Sequence, residues 1–229
     1  MQRRETRIAR IQEAKKALEE RAREKAKSEG EDSKEAKPEP TAQYNFTDPE
    51  SRIMKGPDGF VQGYNTQVAV EPIFQLIVGQ TVTQAANDKQ QVVPLIEAIQ
   101  EQSGQRPKEV LADNGYCSEE NLKYLAKRRM EGFVATEKQK HGERSEPCKR
   151  GPLPKDASRV ERMKRTLKTK VGAAVYARRK CMVEPVFGQI KQARGFRQFL
   201  LRGLEKVRGE WALVCMTHNL LKFHKICYE

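Results

Sequence analysis

The sequence predicts an α/β fold, a mixed sheet flanked by helices and preceded by a helical and disordered N-terminal segment. Three observations predict it. Apolar runs and helical patterns follow one another from residue 59 in the order β-β-α-β-α-β. Hydrophobic residues are 37% and charged residues 33% of 229, too few apolar groups for the whole chain to share one core. The first 43 residues are dominated by Ala, Glu, Lys and Arg and carry no strand pattern.

Residues 1–28 lack proline and have one narrow apolar stripe, Ile8, Ile11 and Leu18 with Ala14 and Ala22 nearby. This predicts an exposed or loosely paired helix. Residues 29–43, "EGEDSKEAKPEPTAQ", have the composition of a disordered linker. The compact part begins near Tyr44. "GFVQGYNTQVAVEP" (59–72) alternates as a strand, and "FQLIVGQTVTQ" (74–84) reads as its neighbour across a turn at Glu71-Pro72. Residues 87–104 read as a helix capped by Asn87 or Asp88 and ended by Gly104. Residues 107–113 read as a strand, 118–130 as a helix with Ser118 as N-cap, and 132–136 as a short strand. Asp58 reads as a turn residue. The segment 138–170 is a polar, basic insert punctuated by Pro and Gly, and "HGERSEPCKRGPLPKD" (141–156) reads as a loop. A helical stretch follows at 171–193, then "GFRQFLLRGLEKV" (195–207), then an apolar helix at 210–226.

The net charge is +13, and it is concentrated. Residues 138–209 hold 21 Lys/Arg against 6 Asp/Glu, so the rest of the chain is slightly acidic. Confined basic excess is the footprint of a polyanion binder, nucleic acid above all. The five cysteines (117, 148, 181, 215 and 227) show no framework spacing and read as reduced thiols in a cytoplasmic protein. No signal-like stretch and no run of about 18 apolar residues occurs.

Two carboxylates stand out. In "VLADNGYCSEENL" an apolar run ends on Asp113, at the strand edge where open α/β sheets place their chemistry. A simple turn role for Asp113 explains the same residues. Glu184 lies in a basic segment. At about 100° per residue, Lys180, Glu184, Phe187 and Lys191 share a face. An i,i+4 ion pair with Lys180 explains this too, but Pro185 kinks a helix beside the acid and re-aims it.

These blocks, "LADNGYCSEENL" and "YARRKCMVEPVFGQIKQARGFRQFLLRGLEKVRGEWALVCMTHNL", together resemble the insertion-sequence transposases with a DDE catalytic domain. "DPESRIMK…GFVQGYNTQVAV" and "TVTQAANDKQQVVPLIEAI" resemble the family's upstream part, and "RRETRIARIQEAKKALEE" the helical insertion of one branch. The resemblance implies a ribonuclease-H-like domain over 44–229. It implies metal-dependent cleavage and transfer of DNA strands, with Asp, Asp and Glu holding two Mg²⁺ or Mn²⁺ ions. Such ions take hard oxygen ligands. It makes Asp113 the second acid and Glu184 the third. A Tyr, an Arg and a Lys around the Glu map onto Tyr176, Arg179 and Lys191, with Lys180 facially better placed for the Arg role. Arg159, Arg162, Lys164 and Arg194 are further expected DNA contacts. The expected partners are transposon ends and target DNA, and a second copy in a homodimer.

The family's first acid ends the first strand, in an Asp-Gly-Thr block, and no Asp-Gly-Thr occurs in this sequence. Asp48 lies at a plausible separation but follows no apolar strand, and Asp88 reads as a cap. The resemblance therefore implies a C-terminal fragment without its first strand and first acid, inactive alone. A non-catalytic DNA-binding fragment that competes with the full transposase is the alternative, and an inert relic a third reading. Cys215, His218, His224 and Cys227 have a zinc-like spacing, but on one helix the two pairs point to opposite sides. Trp211 reads as core.

Overall fold

The computed structural model of the chain describes residues 2–30, 32, 36–56, 59–137 and 151–228. Asp58 and most of the 141–156 segment, with Cys148, lie outside them. The chain divides into two compact units, Met1–Tyr64 and Asn65–Glu229.

The first unit opens with helix α1 (Gln2–Glu29). Ala14 and Ala26 are buried on it, with Leu18 and Ala22 half-buried between them, while Ile8 and Ile11 are exposed. The stripe is thus three alanines and one leucine at i,i+4 spacing. In the segment read as a linker, Glu39 pairs with Lys25 at 2.7 Å, and the Ala42 N–H closes a turn onto Glu39. Strands β1 (Arg52–Gly56) and β2 (Gly59–Gly63) form an antiparallel pair with Met54 opposite Val61.

The second unit begins with β3 (Asn65–Val70), antiparallel to β4 (Ile77–Thr83). The single strand expected over 59–72 is therefore two. Alternation runs on across Tyr64, but the pairing partner changes from β1 to β4 there, and Gly63 weakens the strand at that point. Helix α2 (Val92–Ser103) starts three or four residues later than the cap reading of Asn87 or Asp88 requires. Pro94 explains it. Proline lacks an N–H and fits only the first turn, so the helix begins just before it. Gln91 is the N-cap, and Gly104 ends the helix in the left-handed conformation at φ 69°.

Strand β5 (Glu109–Ala112) runs parallel to β6 (Glu131–Val134), with α3 (Glu119–Lys127) between them in sequence. Parallel strands need such a crossover. Ser118 caps α3 by accepting the Asn121 N–H at 3.1 Å. Val92, Ile96, Leu122, Leu125, Met130 and Val134 form the core, with Val110, Ala112, Tyr116 and Met163 against it. A fully buried Leu such as Leu125 contributes about 1.5–3 kcal/mol.

The basic insert contains a helix, α4 (Arg159–Lys168), opened by a capping box between Ser158 and Glu161. The segment 171–193 is also interrupted. It comprises α5 (Lys170–Ala177), α6 (Arg179–Gly188) and a π-helical turn (Gln189–Ala193). Helix α7 (Leu204–Tyr228) closes the unit and lies along β4, where Asn219 bonds both the N–H and the C=O of Ile77. Trp211 is buried beside Phe187, Phe196 and Phe199. Among the described residues the six strands form three two-stranded sheets, and no helix is long and apolar enough to cross a membrane.

Candidate active site

Asp113 is the first residue past β5, and it is exposed. Its Oδ1 accepts the Gly115 N–H at 2.9 Å and so caps a 3₁₀ turn, Asn114–Tyr116. The turn role and the strand-edge position coexist. A second carboxylate, Asp88, also lies against Gly115. A β-carbon at 115 would stand 2.8 Å from Asp88 Oδ2 and 3.1 Å from Asp113 Oδ1, so glycine is what lets the turn settle between them. Asp88 Oδ1 accepts from Asn65 Nδ2 at 2.7 Å and Gln67 Nε2 at 2.8 Å, both on β3. The Tyr116 hydroxyl donates to Gln67 Oε1. Burial pushes the Tyr116 phenol well above its usual range, and the charges of Asp88 and Asp113 push it the same way. Asp88 is thus a network carboxylate rather than a helix cap. Its turn-forming neighbours in "QAANDKQQ" conceal that role in the sequence.

Glu184 is exposed on α6, one residue before Pro185. Arg179, not Lys180, reaches it, with Nη2 to Oε1 at 3.4 Å. Lys180, Arg179 and Glu184 lie on the same helix, and a wheel gives the face of a residue but not the reach of its side chain. The Arg179 guanidinium also lies over the Tyr176 ring, 5.8 Å from its centroid. Burial raises the Tyr176 phenol, Arg179 lowers it, and the charges of Asp113 and Glu184 both raise it. The two acids, far apart in sequence, therefore act on one hydroxyl.

The remaining cations differ in what they touch. Lys180 is exposed. Lys191 lies over the Phe187 ring at 5.3 Å. The Arg194 guanidinium donates to the Val214 carbonyl at 3.0 Å and to the Thr217 hydroxyl, which ties it to α7. Arg162 donates to the Ala157 and Lys155 carbonyls at 3.0 and 3.1 Å, and Lys164 pairs with Glu137. Arg159 is exposed at the start of α4. Asp48, in the first unit, follows no strand among the described residues, and both its oxygens accept from the Tyr64 hydroxyl, at 2.8 and 2.9 Å.

Asp113 and Glu184 suit a hard divalent cation by donor type. By number they fall short of a two-cation site, and among the described residues no three His, Cys, Asp or Glu side chains are grouped to hold a metal. The zinc-like quartet is committed elsewhere in part. His218 Nε2 bonds the Gln75 carbonyl at 3.0 Å, and His224 packs on Tyr228.

Comparison with known proteins gives one result. The profile of the family described as Transposase DDE domain matches residues 31–220, which leaves out all of α1 but covers every strand. Neither curated proteins nor solved structures give a significant match. With the profile spanning most of its length and the strand-end Asp113 and helical Glu184 inside the matched span, the chain belongs to the transposase DDE domain family.

Proposed function

We propose that this chain is part of the catalytic domain of a bacterial insertion-sequence transposase, acting on DNA in the cytoplasm. Asp113 and Glu184 are two of its three metal-holding acids. The observation that carries this reading is the match of the transposase DDE domain profile to residues 31–220, with strand-end Asp113 and helical Glu184 inside it. With a third acid beside Asp113 and Glu184, bound Mg²⁺ or Mn²⁺ would supply activation of an attacking water or 3′-hydroxyl and charge stabilisation of the leaving oxygen. The protein's own part is to hold and shield the acids. Arg179 offsets the charge of Glu184, and the Asp88 network holds the turn that carries Asp113. Lys180, Lys191 and Arg159 meet DNA phosphates.

The sheet supports a ribonuclease-H-like domain whose first strand lies outside this sequence. β3–β4 and β5–β6 are separate pairs, one antiparallel and one parallel, with no joining strand among the described residues. The expected first strand would stand between them and bring the missing acid. The Arg179–Glu184 ion pair favours a second reading, a DNA-binding fragment without catalysis, because it already occupies one acid.

The test is a titration with Mn²⁺ and a nicking assay on DNA with transposon ends. Weak Mn²⁺ binding that drops in Asp113→Ala and Glu184→Gln is expected. Nicking is expected only after an Asp-Gly-Thr segment is supplied. Mn²⁺ binding indifferent to both substitutions would overturn the site. Nicking by the chain alone that is lost in Asp48→Ala would show that Asp48 completes the triad.

A further inference from the structure

Pro185 stands inside α6, directly after Glu184. Proline has no N–H, so the carbonyl four residues earlier, that of Cys181, loses its helical donor. Gln75 replaces that donor. Its Nε2 donates to the Cys181 carbonyl at 2.8 Å, across 106 residues of sequence.

Gln75 lies in the turn between β3 and β4 with φ 60°, a left-handed conformation that a non-glycine residue keeps only when its surroundings enforce it. The surroundings do. The Glu71 carboxylate accepts the N–H groups of Ile73, Phe74 and Leu76. The Gln75 carbonyl meets His218 Nε2 at 3.0 Å, and its Oε1 accepts from Lys222 Nζ at 2.8 Å. One residue thus ties the proline-containing helix to α7.

We infer that Gln75 is a positioning residue for Glu184, fixing the turn of α6 that presents the carboxylate by taking the carbonyl that Pro185 leaves without a donor. The inference rests on the reading of Glu184 as a metal-holding acid. It adds a residue that the family motifs around the acids do not contain.

The test is a double-mutant cycle on the full chain between Gln75→Met, which keeps length but loses the donor, and Pro185→Ala, which restores the helical N–H. Hydrogen exchange over residues 179–193 and Mn²⁺ affinity are read in all four proteins. Gln75→Met is expected to speed exchange there by about tenfold and to weaken Mn²⁺ binding, with both effects largely suppressed in the Pro185→Ala background. Gln75→Glu, which keeps an acceptor for Lys222 but not the donor, is expected to behave like Gln75→Met. Unfolding of Gln75→Met alone, relieved by Pro185→Ala, would also support the inference. Equal losses in both backgrounds, or unfolding in both, would overturn it. The exchange arm needs no metal. If Asp113→Ala and Glu184→Gln leave Mn²⁺ binding unchanged, the metal reading fails while exchange still decides the tie.

Discussion

The Asp88 carboxylate and the Asp113 carboxylate converge on one point, the place a β-carbon at Gly115 would take, 2.8 and 3.1 Å from it. The turn behind the strand-end acid is therefore packed against a second acid that β3 holds in place. Gly115→Ala forces one of them to move. The expected cost is about 1–3 kcal/mol, the usual price of overpacking, with a parallel loss of Mn²⁺ affinity. Urea unfolding and Mn²⁺ titration check it, and an unchanged midpoint would show that the turn has room.

Two neighbours of that turn separate a cap from a buried polar hub. Ser118→Ala removes the bond to the Asn121 N–H and is expected to cost about 1 kcal/mol. Asn121→Ala leaves the carbonyls of Lys89 and Tyr116 without their donor in a buried place, at about 1–3 kcal/mol each. Denaturation curves should rank Asn121→Ala as the more damaging.

The fold was legible where the chemistry is local. Ser118, Gly104 and the apolar run into Asp113 sit where their residue types demand. It was not legible where long-range partners decide. The change of partner at Tyr64 leaves no mark in the alternation. Helix α4 was missed although Ser158 and Glu161 carry its capping signal, because the flanking Pro, Gly and basic residues dominate that segment. Asp88 was hidden because Asn65 and Gln67, which recruit it, come from a strand over twenty residues earlier. Arg179 ranks below Lys180 on a sequence wheel because the wheel shows facing and not the reach of a long guanidinium side chain.

His218 is almost fully buried, and its imidazole pKa is held below the ordinary 6.5, first by burial and then by the charges of Lys222 and Arg194. The unfolded chain therefore takes up a proton more readily than the folded one. The stabilising contribution is complete above pH 6.5 and is lost as pH falls through the folded pKa. Thermal melts from pH 7 downward should show this decline in the wild type and a smaller one in His218→Gln. Parallel declines would remove His218 from the account.

DNA binding is expected to weaken steeply with salt, because each neutralised phosphate releases counterions, with a slope of about −0.9 per contact. Charge reversal at Arg159, Arg162 and Lys164 should weaken binding to unrelated sequences alike and flatten that slope. Filter binding at several salt concentrations measures it. A salt-independent affinity would contradict phosphate recognition by this segment.

The two acids depend on contacts of very different range. The strands and helix that flank Asp113, β5 and β6 with α3 between them, lie within residues 109–134, so the chain closes only short loops to build them, and Asp88 with its β3 partners joins from earlier in the chain. The frame of Glu184 draws on Gln75, 106 residues away. On refolding, the Asp113 segment should gain amide protection first and the Glu184 helix last, a sequence that pulse-labelled exchange resolves. Synthesis from the N-terminus imposes the same order. A nascent chain completes the surroundings of Asp113 while those of Glu184 are still unmade.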